Sequence, residues 1–420
     1  MFAFARIIRA AVAVAALLAA LAPLPARAHG ERAQEPYLRT RTVQFYDVHF
    51  SGTELQVNDT FTITGKFRLM KDWPDAVAPP DTVFLATGTP GPAVVRLETY
   101  LNGEPARQSF SKLELGRDYD FKQVMKAREP GTFHIHPMVS VKGSGALVGP
   151  GQWITISGTQ AHFSYPVTTL TGERIDDLQT YGVGQALGWY GLWIGLAALW
   201  LLFWITRPLL MPRAIAISKG REDLLISTRD IAVGVALGVV VLGVTLGGYA
   251  WYSDSYPYTV PLQSGTQRVA PLPEAKSQVD IKVLNATYDV PGRSMKIEAR
   301  MTNTGTAPLS IGEFATANLR FVNTALPAAQ ANVDPTYPKE LVARTPLEID
   351  APAALMPGET RVVKFAATDA TWELERLTSF LTDVDSKFGG LLFFFDPQGN
   401  RRIEEISGPI IPVFTDLAKT

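Results

Sequence analysis

The chain holds five histidines, His29, His49, His134, His136 and His162, and any imidazole chemistry must draw on these. Two of them stand in the run Phe133-His134-Ile135-His136. Residues i and i+2 of a strand point to one face. This spacing therefore sets two imidazoles side by side and turns Phe133 and Ile135 to the other face. Such a pair either binds a metal or is two polar residues on a solvated face. Processing adds a third imidazole. Residues 1–28 read as a secretory signal peptide: basic Arg6 and Arg9, an apolar run from Ala10 to Leu21, and the small-x-small site Ala26-Arg27-Ala28. Cleavage after Ala28 makes His29 the first residue. Its α-amino group, with a pKa near ~8, and its imidazole then chelate one metal together. His29, His134 and His136 form an all-nitrogen set that suits Cu(II) in tetragonal geometry and also holds Cu(I). Zinc stays open, although its sites usually recruit a carboxylate or thiolate. Because the pair is expected on a solvated face, replacing both rings is expected to spare the fold. His49 shares a strand face with Asp47, which points to a structural hydrogen bond, and His162 is expected at the surface.

Composition narrows the chemistry further. There is no cysteine, so blue-copper, thiolate-zinc and iron–sulfur centres are excluded, and an exported domain must be held by its core without disulfides. The net charge of −1 supplies no field for nucleic acid, which is not expected as a partner. The 34 glycines and 30 prolines favour turn-rich β structure.

The elements that must position the histidines are short strands. Candidates lie at 42–50, 60–69, 94–100, 119–126, 132–141 and 153–157, punctuated by turns such as Pro90-Gly91-Pro92, Glu129-Pro130-Gly131 and Gly149-Pro150-Gly151. That spacing predicts an antiparallel β-sandwich over 29–172, followed by a linker at 173–185. Two charge-free runs follow, Ala186 to Ile205 and Ile231 to Tyr252, each near the ~20 residues a helix needs to cross a bilayer. The predicted spans are 186–206 and 231–252. The loop 207–230 between them carries Arg207, Arg213, Lys219, Arg221 and Arg229, which predicts a cytoplasmic loop with both flanking domains outside. Trp189, Trp193, Trp200 and Trp204 line one side of the first span. The pairs Gly234/Gly238 and Gly243/Gly247 in the second span allow close helix approach. Residues 261–420 alternate strands and turns again, with candidates at 279–286, 294–301, 319–322, 361–367 and 390–395. The last is apolar throughout, as for a strand buried on both faces. This second domain holds no histidine and reads as structural.

Several segments in order carry a resemblance. They are His29-Gly30-Glu31, Gly65-Lys66-Phe67 with Trp73-Pro74, Pro90-Gly91-Pro92, and His134-x-His136 with Gly149-Pro150-Gly151-x-Trp153-Ile154-Thr155. They continue with Pro166-Val167-Thr168-Thr169-Leu170-Thr171-Gly172, Tyr256-Pro257, Pro261-Leu262-Gln263-x-Gly265-Thr266 and Gly390-Leu391-Leu392-Phe393-Phe394-Phe395-Asp396. The chain resembles the B-type subunit of the particulate methane monooxygenase and ammonia monooxygenase family over essentially its whole length. The resemblance implies two exported cupredoxin-like domains joined by a transmembrane hairpin, and copper held by His29, His134 and His136. It also implies the bacterial inner membrane, both large domains periplasmic, and two other integral membrane subunits, of A and C type, in a trimer of heterotrimers. The implied reaction uses O₂ to oxidise methane to methanol or ammonia to hydroxylamine. Some members hold a second copper with a His where this chain has Gln44 and a Gln where it has Arg402, so that site is expected to be missing. The alternative is a non-catalytic exported copper-binding or scaffold protein, with the chemistry in partner subunits. A copper carrier often clusters methionines, and the eight here are scattered.

Overall fold

The computed structural model describes residues 34–106, 109–169, 172–205, 210–221, 225–256, 266–378 and 385–414. His29 and the signal-peptide reading lie outside the described residues. The chain divides into two compact units, one of residues 1–162 with 265–420 and one of residues 163–264.

The first unit contains two β domains. In the first, the strands are β1 (Val43–Phe50), β2 (Glu54–Gln56), β3 (Thr60–Leu69), β4 (Thr82–Gly88), β5 (Val94–Leu101), β6 (Glu104–Pro105), β7 (Ser109–Ser111), β8 (Asp118–Ala127), β9 (Gly131–Val141), β10 (Gly145–Val148) and β11 (Gln152–Ser157). One sheet runs β1-β3-β8-β5-β6, and the facing sheet contains β7-β4-β9-β11-β2 with β10 beside β9. Period-two patterning builds the sandwich. Phe61, Ile63, Phe67 and Leu69 of β3 point inward and meet Val83, Ile135, Val139 and Ile154 of the other sheet in one core. A bulge interrupts β1 between Tyr46 and His49, where Asp47 takes a φ of 52°.

The second unit, described by itself, pairs β12 (Val167–Thr168) with β13 (Arg174–Ile175) and then forms two long helices. Val183–Ile205 has 23 residues and Thr228–Ser255 has 28, both long and apolar enough to cross a bilayer. The second begins a turn earlier than its apolar run. Ser227 Oγ accepts from the Asp230 amide, and the Asp230 carboxylate accepts from the Ser227 amide, a reciprocal cap that carries the helix past Arg229. The segment expected as a plain loop contains a further helix, Leu210–Ser218, where Arg213 lies over the Trp204 ring at 5.1 Å. The tryptophan stripe faces the other span. Trp189 Nε1 donates to the Tyr252 hydroxyl at 3.2 Å, and a Cβ on Gly248 would stand 2.8 Å from the Trp189 ring. Gly234 takes the same position against Trp200, at 3.8 Å. Gly238, Gly243 and Gly247, expected at a helix contact, meet nothing within 4 Å among the described residues.

The chain then returns to the first unit. Strand β14 (Thr266–Gln267) pairs in parallel with β7 of the first domain, and the Leu272 amide donates to the Asp118 carbonyl at 2.9 Å. The start of the segment expected as the second domain thus belongs to the sheet of the first. The second domain proper holds β15 (Val279–Asp289), β16 (Ser294–Asn303), β17 (Ser310–Thr316), β18 (Leu319–Val322), β19 (Glu348–Ile349), β20 (Thr360–Thr368), β21 (Lys387–Phe395), β22 (Arg401–Pro409) and β23 (Ile411–Val413). Its sheets run β19-β20-β16-β15-β23 and β18-β17-β21-β22. Strand β21 is buried on both faces. Leu392 and Phe394 join the sandwich core, while Leu391, Phe393 and Phe395 pack in a second cluster with Tyr46 and Met70 of the first domain. The two β domains therefore share an apolar interface.

Candidate metal centre

Strand β9 carries the His-x-His pair through the middle of its sheet. It is hydrogen-bonded to β11 on one side and β4 on the other, with His134 opposite Trp153 and His136 opposite Gly88. Ile135 turns into the core and is fully buried, and Phe133 packs partly buried against it. The two imidazoles meet on the other face, ring centroids 4.4 Å apart and planes at 85°. The alternation read from the sequence therefore places both rings together, but not in water. His136 is only 7% exposed and His134 is half-buried. The expectation of a solvated face is corrected here, because the turn after β10 folds over the rings.

That turn is built for the imidazoles. His136 Nδ1 lies 3.0 Å from the Gly149 carbonyl oxygen. A carbonyl only accepts, so Nδ1 carries the proton and Nε2 carries the lone pair that a metal would use. Gly151 lies against both rings. A Cβ there would fall 2.2 Å from His136 Cε1 and 2.8 Å from His134 Cε1, so only glycine leaves the space. The Trp153 indole lies on His134, with centroids 4.7 Å apart and planes at 34°. The site is thus two neutral nitrogen donors on a rigid strand, one with its tautomer set, in a cradle that a side chain would fill. This donor set fits copper. Among the described residues no three of His, Asp and Glu gather as a metal-binding set, and His29 lies outside them.

The remaining histidines lie elsewhere. His49 Nδ1 contacts Asp334 Oδ2 at 3.0 Å and Thr336 Oγ1 at 3.1 Å, both in the second domain. Its expected neighbour Asp47 pairs with Arg401 instead, because the bulge in β1 separates the two side chains. His162 is exposed in a short 3-10 turn.

A protein-family model, described as the B-type subunit protein of a monooxygenase, matches residues 30–414. A protein of Methylococcus capsulatus (strain Bath), "Particulate methane monooxygenase alpha subunit", is 41% identical over 391 residues, covering 93% of each chain. The chain belongs to the family of B-type monooxygenase subunits. Among solved structures, the cupredoxin domain of amoB from Nitrosocaldus yellowstonii is similar at 18% identity. That comparison covers 32% of this chain and 98% of that domain, with a TM-score of 0.25.

In this B-type monooxygenase subunit, Gln44 and Arg402 are engaged in protein contacts. Gln44 is buried on β1. Its Nε2 donates to the Arg39 and Thr40 carbonyls at 2.6 and 2.9 Å, and its Oε1 accepts from the Ala317 amide at 3.1 Å. All its polar capacity is directed to the backbone, and it ties the two β domains together. Arg402, on β22, donates to the Arg401 carbonyl at 3.3 Å. The residues that sequence reasoning gave no role at the histidine pair are Gly149, Gly151 and Trp153. Their signal was present as Gly-Pro-Gly-x-Trp, but nothing in one dimension says which strand that turn covers.

Proposed function

We propose that this chain is the copper-binding subunit of a membrane-bound monooxygenase that oxidises methane or ammonia with O₂. The observation that supports it most is the His134–His136 pair cradled by Gly149 and Gly151, in a chain 41% identical to a methane monooxygenase subunit. Copper would be held by His134, His136 and the mature N-terminal His29, cleavage after Ala28 having turned its amide into a donor amine. When bound, copper supplies one-electron redox chemistry between Cu(I) and Cu(II). The chain's own part is to present the ligands: β9 sets their spacing, the Gly149 carbonyl sets the His136 tautomer, and the turn at Gly151 excludes water from the rings. The helical hairpin would anchor the protein in a bacterial inner membrane and pack against two partner subunits of A and C type, in a trimer of heterotrimers. Both β domains would face the periplasm.

The test uses the whole complex, purified from membranes, in three forms: native, His134→Gln/His136→Gln, and with one alanine inserted between Ala28 and His29. Glutamine keeps a donor for the Gly149 carbonyl, which His136→Ala would leave unpaired at a cost of about 1–3 kcal/mol. Copper per complex and substrate oxidation are measured together. Loss of the same copper from both variants, with circular dichroism unchanged, is expected. Copper content equal in all three forms would overturn the assignment.

A further inference from the structure

Trp153 has no donor atom for a metal, since its indole N–H only donates. Its placement is nonetheless specific. The β9–β11 register sets it directly opposite His134, and cross-strand partners on one face are the nearest neighbours a sheet provides. Its ring lies 4.7 Å from the imidazole centroid at 34°, while the side chain stays 45% exposed, so the contact with His134 is gained without burial in the core. The backbone beneath it is tied down. The Trp153 amide donates to Gln152 Oε1 at 3.0 Å, and Gln152 Nε2 donates to the Thr336 carbonyl of the second domain at 2.9 Å. His134 is thus bounded by Trp153 on one face, by the perpendicular His136 ring, and by Gly151, whose missing Cβ leaves the space. His136 is oriented by a carbonyl; His134 is held in an aromatic slot.

We propose that Trp153 is a positioning residue for His134: its indole holds the imidazole at its metal-binding angle and keeps solvent from that face. The terminal torsion of a histidine is broad, so a wall is needed to hold the ring at one angle. The inference rests on copper binding by His134 and His136. Groups that orient a metal ligand typically change affinity by about 10–100-fold when removed.

The experiment compares the native complex with Trp153→Phe, Trp153→Leu, Trp153→Gln and His134→Gln/His136→Gln. Copper retention is titrated against a graded chelator, and the nitrogen hyperfine pattern of Cu(II) is recorded by electron paramagnetic resonance. Trp153→Phe keeps an aromatic face and is expected to retain copper within about two-fold of native. Trp153→Leu and Trp153→Gln are expected to lose about ten-fold or more and to alter the hyperfine pattern. Two variants of opposite polarity guard against a folding defect in either one, which circular dichroism reports. If the double histidine variant changes the signal while the Leu and Gln variants keep native retention and spectrum, Trp153 has no positioning role. If the double variant leaves the signal unchanged, copper is not held at these histidines and the inference falls with that reading.

Discussion

Single side chains link the two β domains as much as they build the metal centre. His49, left aside by the metal set, meets Asp334 and Thr336 across the domain interface. Partial burial pushes the Asp334 carboxyl up, but hydrogen bonds from the Thr336 hydroxyl and amide and from His49 outweigh it, and the net shift is downward. A lowered carboxyl contributes stability that is present above its unfolded pKa of about 3.9 and is lost as pH falls through the folded value. Asp334→Asn is therefore expected to reduce unfolding stability at neutral pH by about 1 kcal/mol, the scale of a partly solvated charged hydrogen bond. The difference from native should shrink below a pH of about 4. Denaturant titrations at several pH values check it, and an equal deficit at every pH would refute it. Gly151 makes the opposite kind of contribution, since its value lies in the atoms it lacks beside His134 and His136.

At the level of elements, β21 and the helical hairpin obey different packing rules. Strand β21 is apolar at every second position on both sides because each face meets a different partner, the sandwich on one and Tyr46 with Met70 on the other. Its neighbour β22 reads Arg401-Arg402-Ile403-Glu404-Glu405, which carries no apolar signal, yet it pairs with β21 along nine residues. It escaped the periodicity argument because backbone pairing and ion pairs such as Arg401–Asp47 hold it there. In the hairpin, tryptophans fill the space that glycines leave. Gly248→Ile would drive a branched side chain into Trp189 and is expected to cost about 1–3 kcal/mol. Gly243→Ile, at a position with open space inside the chain, is expected to leave the hairpin unchanged. Thermal unfolding of the detergent-solubilised protein, followed by tryptophan fluorescence, compares the two, and equal melting shifts would contradict this packing.

For the whole molecule, the arrangement to be tested is its insertion in the membrane. Arg213, Lys219, Arg221 and Arg229 between the two long helices favour a cytoplasmic loop, with both β domains outside. Protease added to intact spheroplasts is expected to cut the β domains and spare this loop, and cleavage confined to the loop would invert the topology. The sequence by itself determined the β class, the two apolar spans and the side-by-side placement of His134 and His136. These follow from local periods, two for a strand and near twenty residues for a span, which act between residues close in the chain. Only the tertiary structure decided what lies against those elements. It folded Gly149, Gly151 and Trp153 over the imidazoles, returned β14 to the first domain's sheet, and turned His49 from Asp47 to Asp334. Such contacts join residues far apart in sequence, and they are selected by shape and by hydrogen-bond completion, which leave no periodic trace in the chain.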